Sequence, residues 1–211
     1  MNHKNLFVIT AVCLLTTKTC LSQTLEWGSL SGSQIVDRKG DLLESSAFVV
    51  ELGTFNQDFE PTSSNTGDWI LNWHVFDTAD YQTDQLTLTG YFTGAENVQN
   101  VSNYSTTFEG YQAYMWVRDV DYSEFFLAKD SSWVFPAQDQ GCCPSELPIQ
   151  WSVTDLGDGL PIWGVQSGVK GAGFGSAGNY DLQTLGVPEC GSSALVMMSA
   201  GAMFLRRRRC D

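Results

Sequence analysis

Short apolar runs bounded by glycine and polar turn residues recur along the middle of the chain, and they limit the folds open to it. Ser46–Leu52 is rich in β-branched and aromatic residues, and 85–93 alternates apolar with hydroxyl side chains. Both patterns are typical of strands. The candidate strands are 46–52, 85–93, 111–117, 124–128, 149–153 and 180–185. This spacing predicts an all-β domain with an antiparallel sandwich or jelly-roll-like fold, in which the polar segment 118–123 closes a hairpin.

One segment departs from the strand pattern. Trp69, Trp73 and Phe76 recur at helical spacing, and Thr66 precedes them as a candidate cap. The sequence therefore predicts one short helix over Thr66–Thr78. Its aromatic stripe is either a part of the core, which we favour, or a platform on which a sugar could stack.

Charge is distributed very unevenly along the 211 residues, whose formal net charge is −13. Residues 23–187 contain five basic and 22 acidic side chains, which gives this part a formal charge of −17. Such a surface repels nucleic acid and anionic lipid headgroups, so we expect no nucleic-acid partner. The length and charge suit a single secreted domain, predicted at 23–186.

The amino terminus has the three-part layout of a secretory signal peptide. Lys4 gives a positive start, Leu6–Leu15 is an apolar run, and small residues follow. We predict a signal helix within 1–22 and a cut between Ser22 and Gln23, after passage through the secretion translocon. The alternatives are a buried helix and a lipoprotein signal with lipid on Cys20.

The carboxyl terminus joins an uncharged run, 191–205, to four arginines, Arg206, Arg207, Arg208 and Arg209. A helix of fifteen residues covers about 22 Å, which is short for a bilayer core of ~30 Å. Arginine side chains can reach the headgroups and set the orientation with the tail in the cytoplasm. We predict a transmembrane helix at 191–205 that anchors the chain in the inner membrane.

The order of these elements resembles the sorting signal of the PEP-CTERM family of secreted bacterial proteins. Val187, Pro188 and Glu189 form the motif, and the apolar helix and the arginines follow within 187–211. Cys190 stands where the family motif continues with proline. The resemblance implies cleavage by an exosortase, a membrane protease-transpeptidase, after which the body reaches the cell surface or the medium. The alternative is a single-pass anchor that is never cut.

The body also resembles uncharacterised PEP-CTERM proteins of the Verrucomicrobia and Planctomycetes type. The similar stretches are "FVVELGTFNQDFEPTSSNTGDWILNWHVFDTADY", "QAYMWVRD", "EFFLAKDSSWVFP" and "DLQTLGVPE". That group has no established activity, so the resemblance bears on location and fold.

Chemical motifs are scarce in the predicted body. His74 is its only imidazole, which argues against a zinc site or a Ser-His-Asp triad. The segment 173–178 matches a G-x-G-x-x-G pattern, but the chain has no room for the helix and strand that a dinucleotide site needs. We therefore predict no catalytic residues and no cofactor other than a candidate calcium ion.

The candidate calcium ligands are Asp119 and Asp121, which flank Val120 in the predicted hairpin turn. Asp155 and Asp158 form a second close pair, and neither pair has the spacing of an EF-hand. A glycosidase pair is defined by distance in the fold, so the sequence favours no particular two carboxylates.

Cys142 and Cys143 are adjacent, and they are the only cysteines of the predicted body. Export would place them in an oxidising compartment. The sequence leaves open a vicinal disulfide, a bond to another chain and free thiols, and we expect a structural role.

These observations favour a non-enzymatic protein of the cell surface or extracellular matrix, with exopolysaccharide as a candidate partner. The alternatives are a small extracellular enzyme that acts on polysaccharide and a carbohydrate-binding module. Two carboxylates in an open cleft would favour the enzyme, and coplanar exposed aromatics would favour the binding module. Buried tryptophans under an acidic surface would favour the structural protein.

Overall fold

The structure is a computed structural model, and it describes residues 23–30, 33–43, 47–81, 91–138, 148–156, 160–166 and 181–187. The predicted signal helix and transmembrane helix lie outside these residues. Within them, no helix has both the length and the apolar character needed to cross a membrane.

The described part of the chain is mostly β, as the sequence predicts. Its strands are β1 (Thr24–Gly28), β2 (Ile35–Val36), β3 (Phe48–Phe55), β4 (Trp73–Thr78), β5 (Asp80–Tyr81), β6 (Phe92–Asn97), β7 (Tyr114–Asp119), β8 (Glu124–Ala128), β9 (Ile149–Ser152), β10 (Val165–Gln166), β11 (Leu182–Gln183) and β12 (Leu185–Gly186). The helices are α1 (Trp69–Asn72) and α2 (Tyr104–Thr107), with 3₁₀ turns at Thr66–Asp68 and Val153–Leu156.

The largest sheet has five antiparallel strands in the order β12-β8-β7-β3-β4. Its β7–β8 hairpin confirms the predicted one, and β8 has the predicted bounds. The turn is tight because Asp119 accepts hydrogen bonds from the backbone N–H groups of Ser123 and Glu124, at 2.6 and 2.9 Å. Tyr122, which lies between Asp119 and Ser123, has a φ of 58°.

Two smaller sheets each include one parallel pair, in a domain whose other strand pairs are antiparallel. One sheet has the order β5-β6-β1-β9, and β1 runs parallel to β9. The other has the order β10-β11-β2, and β2 runs parallel to β11. Parallel partners need a long connection between them. Each of these pairs therefore joins the start of the described chain to its last part.

The main core lies where the five-stranded and four-stranded sheets face each other. Val50, Leu52 and Met115 come from the larger sheet, and Leu25 and Phe92 come from the smaller one; all five are buried. Alternation along each strand brings these side chains to one face. The two sheets thus share one apolar layer.

A second, smaller core covers the opposite face of the five-stranded sheet. Its buried members are Phe55, Trp69, Trp73, Tyr114, Trp116, Phe125 and Leu127. Phe55 makes an edge contact with Tyr114 and Trp69 stacks on Phe125, with centroid distances of 5.1 and 5.7 Å. Aromatic pairs at such distances stabilise a core beyond the area that they bury.

The predicted helix over Thr66–Thr78 is wrong in its second half. Helical backbone ends at Asn72, and Trp73 begins strand β4. Asp77 pairs with Leu52 and Val75 pairs with Gly53, which leaves Phe76 as the extra residue of a β-bulge. A helical turn followed by a bulged strand therefore reproduces the spacing of one continuous helix.

The burial predicted for the aromatic stripe is confirmed, although its members serve two cores. Trp69 is 0% exposed, Trp73 9% and Phe76 6%. Trp69 and Trp73 belong to the second core, whereas Phe76 belongs to the main one. The alternative of a sugar platform on this stripe is wrong, because the rings are not available to a ligand.

Thr66 does not cap the helix as predicted. It is the first residue of the 3₁₀ turn, and Asn65 precedes it. The Asn65 Oδ1 atom accepts hydrogen bonds from the Thr62 backbone N–H at 2.8 Å and from the Trp69 indole N–H at 2.9 Å. Asn65 therefore fixes both the loop and the first aromatic ring of the second core.

Candidate functional site

A polar cleft opens where β3 ends and β4 begins, beside the turn that follows α2. Its volume is about 320 Å³. The lining residues are Phe55, Asn56, Gln57, His74, Thr106, Thr107 and Tyr111. None of these side chains is acidic, lysine or arginine, although the body carries a large negative charge. The cleft presents amide, hydroxyl, imidazole and aromatic groups.

A chain of hydrogen bonds fixes the polar side chains of this cleft. Asn72 donates through Nδ2 to the Asp68 carbonyl at 2.9 Å, so its Oδ1 is left as an acceptor. Asn56 donates through Nδ2 to that Oδ1 at 2.9 Å. The Asn56 Oδ1 atom lies 2.6 Å from Nε2 of His74.

The direction in which these hydrogen bonds are donated determines the tautomer of His74. A backbone carbonyl can only accept, and each amide has one accepting and one donating end. The Asp68 carbonyl therefore orients Asn72, Asn72 orients Asn56, and His74 must donate through Nε2. In the neutral imidazole, Nδ1 is then an acceptor. This chain of hydrogen bonds, which we call the Asn72–Asn56–His74 relay, thus holds the His74 ring with a defined donor and a defined acceptor.

A second depression of about 490 Å³ adjoins the cleft and shares Asn56 and Gln57 with it. Asp58, Phe59 and Asn72 complete its lining. Tyr111, on the cleft side, donates through its hydroxyl to Oε1 of Gln57 at 3.3 Å. Together the two depressions form a continuous polar surface, which we call the His74 cleft.

A third concave surface lies against the four-stranded sheet, with a volume of about 290 Å³. Among the described residues that line it, Glu26 is the only acidic one, and Gln150 donates to Oε2 of Glu26 at 3.0 Å. Tyr91 and Leu30 also line it. A glycosidase needs two carboxylates across the scissile bond. The described residues that line each of these three depressions include at most one carboxylate.

Glu51 and Arg118 form an ion pair beside the second core, in which Glu51 is buried and Arg118 is partly buried. Arg118 donates to Glu51 from Nε at 3.3 Å and from Nη2 at 2.6 Å. The Trp73 indole N–H also donates to Glu51, at 3.0 Å. The guanidinium lies 4.7 Å from the ring centroid of Tyr122. These hydrogen bonds use the accepting oxygens of the buried Glu51 carboxylate, so we assign Glu51 a structural role.

Lys129 and Tyr114 form a partly buried pair at the edge of the second core. Lys129 donates to Oε1 of Glu60 at 3.0 Å, and its Nζ lies 3.5 Å from the Tyr114 hydroxyl. Burial raises the pKa of Tyr114. Burial also opposes the charge on Lys129, but the hydrogen bond to Glu60 and the nearby Tyr114 outweigh it and raise the pKa of Lys129. Lys129 therefore stays a cation and Tyr114 a neutral phenol.

The predicted calcium ligands have different surroundings. Asp119 holds the β7–β8 turn through both carboxylate oxygens, since Oδ2 also accepts from the Ser123 hydroxyl at 2.5 Å. Asp121 is exposed. Across the residues that the structure describes, no three His, Cys, Asp or Glu side chains are grouped to hold a metal ion. Calcium at Asp119 and Asp121 stays a prediction.

Most other predicted site residues lie outside the described residues. These are Ser22, Cys142, Cys143, Pro188, Glu189 and Arg206–Arg209. Gln23 and Val187 are described. The Gln23 carbonyl accepts from the Val98 backbone N–H at 3.1 Å, and Val187 donates its backbone N–H to Ser123 at 2.7 Å. The first residue of the predicted sorting motif is therefore bound to the folded body.

Comparisons with known proteins identify no relative of this chain. No family model, no curated protein and no solved structure matches it.

The sequence did not point to the His74 cleft. Its residues come from three separate stretches, 55–59, 72–74 and 106–111, and they form no motif. The only available signal was His74 itself, as the sole imidazole of the predicted body. The structure changes its interpretation from a histidine on a helix face to a hydrogen-bonded residue on a strand.

Proposed function

We propose that this chain is an exported, non-enzymatic protein of the cell surface or extracellular matrix. In this proposal it passes the secretion translocon, is held briefly in the inner membrane and is cut by an exosortase-type protease. The observation that carries the proposal for the body is the burial of its tryptophans. Six of the seven are 9% exposed or less, and Trp163 is partly exposed. This is the arrangement expected of a structural protein beneath an acidic surface.

The charge of the body supports an extracellular role. Arg38, Arg118 and Lys129 are engaged in ion pairs with Glu124, Glu51 and Glu60. With only five basic side chains against 22 acidic ones in 23–187, most carboxylates have no cation to pair with. Strong negative charge keeps a protein soluble and its copies apart. It also opposes binding to nucleic acid.

The end of the body supports processing near Pro188 and Glu189. Strand β12 pairs with β8, and Val187 packs partly buried against the second core. A cut after Glu189 would leave both of these contacts intact. The proposed protease can therefore release the body without removing any described strand from a sheet.

The proposal that the protein is not an enzyme rests on the three depressions described above. In none of them do the described lining residues include the two carboxylates that glycoside hydrolysis ordinarily requires. The His74 imidazole is hydrogen-bonded to an amide, whereas the histidine of a Ser-His-Asp triad is oriented by a carboxylate.

Mass spectrometry of the native protein, after fractionation of the producing cells, tests this proposal. We expect a species that begins at Gln23 and ends near Glu189, recovered from the surface or the medium. A chain that retains residues 1–22 and stays in the cytoplasm would refute export. A chain that starts at Gln23 and keeps its four arginines would refute cleavage alone.

A further inference from the structure

We propose that the His74 cleft binds a neutral saccharide, in which hydroxyl groups are recognised by the Asn72–Asn56–His74 relay. This inference rests on the proposed extracellular function and specifies a partner for it. It differs from the tryptophan platform, whose rings are buried.

The chemistry of the lining argues for a neutral polyhydroxyl ligand. Asn56, Gln57, Thr106, Thr107 and His74 all offer uncharged hydrogen-bonding groups. A sugar hydroxyl is both donor and acceptor, so it can bond to an amide, a hydroxyl and an imidazole without burying any charge. Among the described residues, the cleft is lined by no lysine or arginine, and its one acidic side chain, Asp58, together with the acidic body would repel an anionic ligand.

The relay prepares the cleft for such a ligand. Each amide is oriented by its neighbour, and the last is oriented by the backbone carbonyl of Asp68. Polar groups held in place before binding lose less conformational entropy when a ligand arrives. The fixed tautomer of His74 adds an acceptor at Nδ1 in the neutral ring.

An aromatic residue stands beside this polar surface. Tyr111 is partly exposed, and its hydroxyl is held by Gln57 at 3.3 Å. An aromatic ring can cover the apolar C–H face of a sugar while polar groups bind its hydroxyls. The adjoining depression, with Phe59 along it, extends the surface beyond one ring. A chain of several sugar units therefore fits better than a monosaccharide.

Isothermal titration calorimetry of the full-length chain in mild detergent tests the inference. The probes are cellohexaose, xylohexaose, mannohexaose and laminarihexaose, with hexagalacturonate as the anionic control. We expect at least one neutral hexasaccharide to bind with an affinity that changes little between low and physiological salt, because no ion pair is involved. Hexagalacturonate should not bind. If no neutral probe binds, or if only the anionic one does, the inference is wrong.

Substitutions test whether the saccharide binds at this cleft. Asn56→Ala should weaken the binding roughly tenfold or more, because it breaks the relay and removes two hydrogen-bonding groups. Tyr111→Ala should weaken it to a similar extent, while Tyr111→Phe keeps the ring and should change it roughly threefold or less. Asn100→Ala is the matched control, since Asn100 is exposed and does not line the cleft. Equal binding by Asn56→Ala and Asn100→Ala, at unchanged melting temperatures, would overturn the assignment.

The bound oligosaccharide should be recovered intact after long incubation. Its cleavage would refute the non-enzymatic part of the proposed function and leave the binding site in place. Loss of binding would leave export and processing untouched, because those are tested separately by the two ends of the mature chain.

Discussion

The indole N–H of Trp27 donates a 2.7 Å hydrogen bond to Oδ2 of Asp77, and this bond joins the two sheets across the main core. Trp27 lies on β1 of the four-stranded sheet, and Asp77 follows the bulge in β4 of the five-stranded sheet. Gly94 makes room for the contact, because a Cβ there would overlap both the indole and the carboxylate. The bulge at Phe76 thus determines where the hydrogen bond between the two sheets forms.

Asp77 should make stability depend on pH in the acid range. Burial raises its pKa above 3.8, the hydrogen bond from Trp27 partly opposes this, and the carboxylates of Glu96 and Asp80 raise it further. A raised folded-state pKa means that the folded protein binds the proton more tightly than the unfolded one. The contribution of Asp77 to stability therefore falls as pH rises from 3.8 through the folded pKa.

Asp77→Asn tests this, because the amide oxygen can still accept from Trp27 but does not titrate. We expect the difference in unfolding free energy between Asp77→Asn and the wild type to favour the variant above the folded pKa and to shrink towards pH 3.8. Urea unfolding at several pH values measures it. Asp77→Ala should cost about 1–3 kcal/mol at neutral pH, because it leaves the Trp27 N–H without an acceptor. A pH-independent difference for Asp77→Asn would contradict the assignment.

Trp69 should be among the most costly residues to truncate. It is 0% exposed and contacts Phe55, Trp116 and Phe125 in the second core. Trp69→Ala should lower the free energy of unfolding by roughly 3–5 kcal/mol. Leu71→Ala, on the same short helix but at a side chain that is 80% exposed, should change it by about 0.5 kcal/mol or less. Chemical denaturation compares the two, and equal effects would show that the second core contributes little.

Asp119 should stabilise the hairpin without any metal. Its carboxylate accepts from two backbone N–H groups and one hydroxyl, so Asp119→Ala should cost about 1–3 kcal/mol in the presence of EDTA. Asp121→Ala is the matched exposed control, and about 0.5 kcal/mol or less is expected. Melting scans in millimolar calcium then test the calcium prediction, since a bound ion would raise the wild-type melting temperature. Without such a shift, Asp119 and Asp121 are not calcium ligands.

The arginine tail should act as the stop that holds the chain before cleavage. A central arginine costs ~2.5–3.5 kcal/mol on membrane-insertion scales, so four in succession should resist transfer. Replacing Arg206, Arg207, Arg208 and Arg209 with serine should release uncut protein that still carries its tail. Replacing Pro188 and Glu189 should instead leave full-length protein in the membrane. Immunoblots of membrane and soluble fractions distinguish these results, and normal anchoring and cleavage of the arginine-free variant would refute the stop.

Local patterns predicted the local elements well. β8 and the β7–β8 hairpin follow from runs of apolar residues that flank a polar turn, and neither depends on distant partners. The prediction of a helix over Thr66–Thr78 failed because the bulge at Phe76 changes the side-chain period of β4. A bulge arises from the pairing with β3, which the local sequence does not show. β2 was not predicted, and β11 is only a part of the strand predicted at 180–185, because two residues alone do not specify a strand and the pairing of β2 with β11 does.

The His74 cleft could not be predicted for a related reason. Asn56 and Asn72 meet because the antiparallel pairing of β3 with β4 brings their backbones together, with Asn56 N–H donating to the Asn72 carbonyl at 2.9 Å. Amide side chains in loops are common, and nothing in the sequence distinguishes these two. Tyr111 joins them from a third segment, which only the tertiary fold places nearby.

The two parallel pairs also determine when the body can finish folding. The hairpins of the five-stranded sheet join neighbouring stretches of chain. In contrast, β1 pairs with β9 and β2 pairs with β11 only after these much later strands have been made. Contacts between such distant segments slow folding, because a large loop must close before they form. The first strand therefore has no parallel partner until Ile149–Ser152 emerges, and the three-stranded sheet begins only after Leu182. A chain with this order stays incompletely folded until β9 and β11 have been made, and an incompletely folded polypeptide is one that can pass through a narrow channel.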